Sequence, residues 1–235
     1  MTAKLKTLPK TPRRKSFLRS FVRWTAIVVV SLWSLAALSL VAAKWIDPPT
    51  TALHVERRLQ AFVHRKPYQE HYTFVPLSEI SPNFQHAVIA AEDARFYQHH
   101  GFDWEAIQKD AEKDMEGGRI RGGSTITQQL VKNLFFGTGR SLIRKGVEAS
   151  LVPVAELVLG KQRILELYLN VVEWGPGVYG AESACHTWDR TSAKSISRDQ
   201  AARLAAILPA PLKRHPDRMN SYSEIILDRM RSVGW

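Results

Sequence analysis

The chain has 235 residues, 45% of them hydrophobic, with a formal net charge of +11 and one cysteine, Cys185. A lone cysteine excludes an intrachain disulfide, so an exported portion has to be held by its core. The charge does not indicate a nucleic-acid binder, because eight basic residues crowd into the first 23 positions without an acid, and taking them from +11 leaves +3 for the rest.

Those eight, Lys4, Lys6, Lys10, Arg13, Arg14, Lys15, Arg19 and Arg23, form a basic leader over residues 1–23. Residues 24–43 follow with no formal charge, long enough to cross a bilayer as one helix. The positive-inside rule keeps the leader in the cytoplasm and sends everything after Ala43 outside. A cleaved signal peptide ending at Val41-Ala42-Ala43 fits less well, because the apolar stretch exceeds the secretory core of about 7–15 residues. A buried soluble helix would be amphipathic.

Asp47-Pro48-Pro49 breaks the anchor helix and opens a connector, 44–70, before one domain, 71–235. Apolar residues in that domain recur every three to four positions, so it reads as mainly α, with little strand. Ser81-Pro82 starts a helix that Gly101 can end. Thr125 with Gln128, Ser197 with Gln200 and Ser221 with Glu224 fit capping boxes. Gly160 can close a helix before residues 161–170 form the next, and Pro153 predicts a kink in the first of these. Residues 171–179, with Gly175, Pro176 and Gly177, read as a loop or a short strand edge. Gly117-Gly118 and Gly122-Gly123 read as a loop within the domain.

Three stretches carry chemistry. The first is Ala91-Glu92-Asp93-Ala94-Arg95-Phe96-Tyr97-Gln98-His99-His100-Gly101, which puts adjacent carboxylates near the end of an apolar helix. Carbonyl dipoles and partial burial there raise a carboxyl pKa, which suits an acid/base catalyst. On the residues alone a solvated helix face accounts for the pair as well, and His99 and His100 read as helix-end residues meeting carbonyls. The second, Arg121-Gly122-Gly123-Ser124-Thr125-Ile126-Thr127-Gln128-Gln129-Leu130-Val131-Lys132-Asn133, leads glycines into a capped helix whose free amides can meet an anion. Gly123 stands where a phosphate-binding P-loop requires lysine, which excludes ATP or GTP binding by that motif. In the third, Arg140-Ser141-Leu142-Ile143-Arg144-Lys145-Gly146-Val147-Glu148, a helix places Arg144 and Lys145 on one face with Glu148. That is either a surface ion pair or a grip for a diphosphate.

In this order the three stretches resemble the signature of glycosyltransferase family 51, the peptidoglycan glycosyltransferases. The resemblance continues through Lys161-Gln162-Arg163-Ile164-Leu165-Glu166-Leu167-Tyr168-Leu169-Asn170, through Gly175-Pro176-Gly177-Val178-Tyr179-Gly180-Ala181-Glu182, and through residues 204–211. The layout is similar to that of the monofunctional members. No Ser-x-x-Lys of a penicillin-binding transpeptidase occurs, so no crosslinking activity is expected.

The resemblance implies a lysozyme-like, two-lobed helical domain behind one N-terminal transmembrane helix, in the bacterial inner membrane with the catalytic domain on its outer side. It implies Glu92 and Glu148 as catalytic residues, and Ser124, Gln128, Lys132, Asn133, Arg140, Arg144 and Lys145 as substrate-binding. Lipid II and the growing glycan strand are the implied substrates, with membrane lipid and other cell-wall synthesis proteins as partners and no nucleic acid. No cofactor is required, although a divalent cation such as magnesium near Glu148 is compatible with the chemistry. The chain departs from the pattern at Trp188-Asp189, where members commonly read Tyr-Phe, and at Cys185-His186, which bears on local packing and substrate preference. The rival readings are a lytic enzyme of the same architecture and a silent membrane partner of wall-synthesis complexes.

Overall fold

The computed structural model describes residues 13–115, 123–139 and 141–235; Arg140, Arg121, Gly117, Gly118 and Gly122 lie outside the described residues. Arg13–Ala42 forms one uninterrupted helix, α1, because the segment contains neither proline nor glycine. It starts within the basic leader, ahead of the apolar run. Arg19–Ala42 is the one stretch among the described residues long and apolar enough to span a membrane. Much of its apolar surface is exposed, including Val30, Leu32, Leu35 and Leu38.

The C-terminal half of α1 leans on the long helix α6, Leu142–Val171. Trp33 Nε1 donates to Ser150 Oγ at 2.9 Å, and Leu40 is fully buried. Arg163 on α6 then donates to the Ala43 carbonyl at 2.9 Å and to Asp47 at 2.8 Å. The end of this apolar helix is thereby tied to the rest of the chain rather than swinging from it. Helix α2, Ala52–Val63, is capped by Thr51, and its Arg57 grips Glu173 through two nitrogens at 3.0 and 2.7 Å.

Glu173 belongs to a small sheet in which β1 (His71–Tyr72) runs parallel to β3 (Val178–Tyr179), and β2 (Glu173–Gly175) runs antiparallel to β3. The departure at Trp188 is explained here. Its indole covers Gly175, where an added Cβ would lie 2.8 Å from the ring, and Nε1 donates to the Trp174 carbonyl at 3.1 Å. Glycine and tryptophan are thus a matched pair. Cys185, on α7 (Ala181–Asp189), is buried, and burial pushes its thiol pKa up, so it packs as a small apolar group.

The core forms around α3, Pro82–Glu92, whose Phe84, Ala87, Val88, Ile89 and Ala90 are all buried. It packs on α8 (Arg198–Ile207) and α9 (Asn220–Ser232), and Phe84 meets Trp174 with ring centroids 5.0 Å apart. Helix α4 is Trp104–Met115, and α5, Ile126–Phe135, lies along α6. The fold is mainly α, with strand confined to the small sheet among the described residues.

Several local expectations hold and several are corrected. Ser81 caps α3 with Pro82 in its first turn, and Ser197 with Gln200 completes a capping box. Helix α3 ends at Glu92, not Gly101, because the Asp93 backbone turns to φ −158°, ψ 71° to bury its carboxylate. Thr125 receives the Gln128 amide at 3.2 Å, but Gln128 Oε1 faces Lys145 at 3.4 Å, so no reciprocal bond back to the cap forms. Ser221 does not start α9, which begins at Asn220 without a side-chain cap. In α6 the non-helical backbone falls at Gly160, with φ 71°, a conformation glycine adopts without steric penalty, while Pro153 stays within the helix.

Candidate active site

Glu92 is the last residue of α3, where unpaired carbonyls gather. It forms part of the wall of a cavity of about 260 Å³ that also touches Asp93, Arg95, Ser124 and Arg229. Its side chain keeps some surface toward the cavity but is otherwise crowded by protein, and this desolvation raises its pKa. The hydrogen bond from Gln129 and the charges of Lys132 and Arg214 oppose that rise without cancelling it.

Asp93 explains how α3 is joined to α5. Its buried carboxylate accepts from His99 Nε2 at 2.9 Å and from the Ile126 backbone N–H at 3.0 Å, capping the start of α5. His99 Nδ1 accepts from the Gly101 amide at 3.1 Å, which leaves the ring proton on Nε2, facing Asp93. Thr125 completes the link by donating to the Gly101 carbonyl at 2.7 Å. His99 is therefore a buried partner of Asp93, not a helix-end residue meeting carbonyls, and neither member of the Glu92-Asp93 pair is a solvated face.

One turn into α5, Gln129 Nε2 donates to Glu92 Oε2 at 2.7 Å. Gln129 Oε1 accepts from the hydroxyl of buried Tyr168 at 2.9 Å, which fixes the amide so that its nitrogen faces the carboxylate. Neither residue stands out as functional in the sequence. The available signal was Gln129 lying three residues before Lys132, on the same face of α5.

Lys132 is the next group along that face. Burial lowers its pKa, and the nearby Glu148 carboxylate is the chief influence raising it. Glu148 is 1% exposed, with Arg144 Nη1 at 2.7 Å and Lys145 Nζ at 3.6 Å. Gln128 joins this group through Lys145, Ser124 lines the Glu92 cavity, and Asn133 is buried on α5. Arg140 lies outside the described residues. The other residues expected to bind substrate thus stand on α5 and the first turns of α6, or in the turn leading into α5.

A model described as Transglycosylase matches residues 57–231. The chain belongs to the transglycosylase family. It is 45% identical over 193 residues to the biosynthetic peptidoglycan transglycosylase of Pseudomonas putida strain F1, covering 81% of this chain and 82% of the relative. It is 44% identical over 211 residues to that of Pseudomonas syringae pv. syringae, covering 89% and 87%. The match to the family takes in both glutamates, the cations of α5 and α6, and the Asp93–His99 link.

In this transglycosylase the Tyr168–Gln129–Glu92 chain gives a specific expectation. Tyr168→Phe frees the amide to rotate and turn its oxygen toward the carboxylate, which disfavours the charged form. On the reading that Glu92 is the base whose ionisation sets the acid limb of the kcat/KM profile, that limb moves to higher pH while KM stays close to that of the parent. Profiles of the two proteins measured across the carboxylate range check this, and superimposable limbs would refute it.

Proposed function

We propose that the enzyme polymerises peptidoglycan glycan strands from lipid II by inverting glycosyl transfer, with Glu92 as general base. The supporting observation is the position of Glu92, raised in pKa, held by Gln129, and on the same side of α5 as Lys132 and its neighbouring cations. The acceptor is an N-acetylglucosamine 4-hydroxyl. Glu92 takes its proton as the oxygen attacks the anomeric carbon of the donor, and the bond from that carbon to the diphosphate breaks. A β-1,4 bond replaces the α-linked diphosphate, and undecaprenyl diphosphate leaves.

Negative charge grows on the departing diphosphate, so Lys132, Arg144 and Lys145 help most in the transition state. Arg140 belongs to this set by its place in the motif. No cofactor enters this reading. A divalent ion at Glu148 would first meet Arg144 and Lys145, and among the described residues no group of three His, Cys, Asp or Glu side chains comes together to hold one. The apolar α1 supports a single-pass anchor with the leader in the cytoplasm and the catalytic domain outside, where lipid II and other wall-synthesis proteins are met.

A lytic enzyme needs a protonated acid and a water but no group of cations beside them. The deciding experiment gives the full-length protein lipid II in vesicles and, separately, finished glycan. Lipid II is consumed and strands lengthen; consumption of finished glycan alone would replace this reading with the lytic one.

Lys145 is half exposed and 3.6 Å from Glu148, so its ion pair contributes at most about 1 kcal/mol to stability. Lys145→Ala weakens use of the donor and leaves the melting temperature nearly unchanged. A large fall in melting temperature at near-normal turnover would assign Lys145 to structure.

A further inference from the structure

Helix α2 carries none of the residues assigned to the transfer, yet it holds the turn that joins α5 to α6. It lies against α5, and its Glu56 meets that turn at Thr138. Glu56 Oε2 accepts from the Thr138 amide at 2.5 Å, and Oε1 accepts from the Thr138 hydroxyl. Two bonds to one residue fix the orientation of the turn as well as its distance. Gly137 makes room for this approach, because its φ is 64° and a Cβ there would fall on the Glu56 carboxylate.

The carboxylate is steadied from its own helix. Gln60 Nε2 donates to Glu56 Oε1 at 2.9 Å, and Arg57 Nη1 donates to Gln60 Oε1 at 3.0 Å. Arg57 is also the residue that grips Glu173, so a run of side chains leads from the small sheet to the turn.

Both ends of the turn meet the cations. On one side, the Phe136 and Gly137 amides donate to the Lys132 carbonyl at 2.9 and 3.0 Å. On the other, the Gly137 carbonyl accepts from Arg144 Nη1 at 3.2 Å, and the same nitrogen meets Glu148 at 2.7 Å. The guanidinium is therefore fixed between two acceptors, a carboxylate on its own helix and a carbonyl of the turn that Glu56 holds. Without the second it is free to turn about the first.

We infer that Glu56 is a positioning residue for glycosyl transfer, which holds the α5–α6 turn through Thr138 and so aims the Arg144 guanidinium at the departing diphosphate. It acts through Gly137 and Arg144 rather than on the reacting atoms. The inference rests on the diphosphate reading given under Proposed function. Charge on the leaving group develops in the transition state, so a misplaced Arg144 lowers kcat more than it raises KM.

The test uses the full-length protein in vesicles containing lipid II. Glu56→Ala lowers kcat by on the order of tenfold, less than the roughly hundredfold that a 1 Å misplacement can cost, with KM and melting temperature close to the parent values. Glu56→Gln retains most of the rate, because its amide oxygen accepts from the Thr138 N–H while its nitrogen donates to the Thr138 hydroxyl. The acid limb of the pH profile stays in place in both variants, since the Tyr168–Gln129–Glu92 chain is untouched.

Coupling between positions supplies the readout that a purely structural role would not move. Arg144→Lys keeps a cation beside Glu148 but lacks the planar fork that also reaches the Gly137 carbonyl. Adding Glu56→Ala to it lowers kcat no further, because the path through which Glu56 acts is already broken. Independent, multiplicative losses in the double variant overturn the inference, as does a Glu56→Ala protein changed only in melting temperature or only in KM. A parent protein that consumed no lipid II strikes the proposed function and this inference together, whereas an active parent with an unimpaired Glu56→Ala variant strikes the inference alone.

Discussion

Glu92→Gln removes glycan elongation while leaving a folded protein. The loss is on the order of 10²–10⁴-fold, the usual contribution of a positioned general base. Glutamine keeps an oxygen that can accept from Gln129, so the Tyr168–Gln129 link survives the exchange. Stability supplies the second readout. Because burial raises the carboxyl pKa, the folded state holds that proton more tightly than the unfolded chain. The associated stabilisation is fully present below the ordinary carboxylate value and is lost as pH rises through the raised one. The variant does not titrate there, so it melts higher than the parent near neutral pH, and the difference shrinks as the pH is lowered. Polymerisation assays and melting curves over that range check both parts. Near-normal elongation would remove Glu92 from the base role, and a lower melting temperature at every pH would make it a structural residue.

Glu148→Gln affects stability and activity together. The carboxylate is buried and is the negative group in contact with Arg144 and Lys145, and it opposes the repulsion those two cations exert on Lys132. Removing it leaves a partly buried guanidinium without its partner, which costs about 3 kcal/mol. For a chain of this size that corresponds to a fall in melting temperature of roughly 6–12 °C. Lys132 also loses the chief influence raising its pKa, so its charge weakens where the diphosphate should be received. A combined Arg144→Gln/Glu148→Gln variant recovers part of the lost stability and none of the lost turnover. A single variant that melted within a degree of the parent would show that the cations do not need this carboxylate.

These two residues differ in how far sequence could describe them. The links from Glu148 to Arg144 and Lys145 span four and three positions, which helix geometry converts directly into contact. The partners of Glu92 are long-range: Gln129 is 37 positions away, and Tyr168, which orients Gln129, is another 39. Periodicity shows which face of α5 carries Gln129 but not what that face meets. The end of α3 is likewise set by a distant partner. Gly101 is a reasonable local stop, but Asp93 leaves the helix early to bond His99 and the Ile126 amide, 33 positions on.

Sequence by itself determined the apolar N-terminal helix, the mainly helical fold, the caps at Ser81 and Ser197, the break at Gly160 and the resemblance to the transglycosylases. Each of these depends on residues within a few positions of one another, where backbone sterics and helical spacing leave little choice. Tertiary structure alone decided which groups surround Glu92, that Trp188 covers Gly175, and that α1 leans on α6 to leave an apolar groove beside the cations. Those features depend on how separate elements pack, and packing is set by the whole core at once.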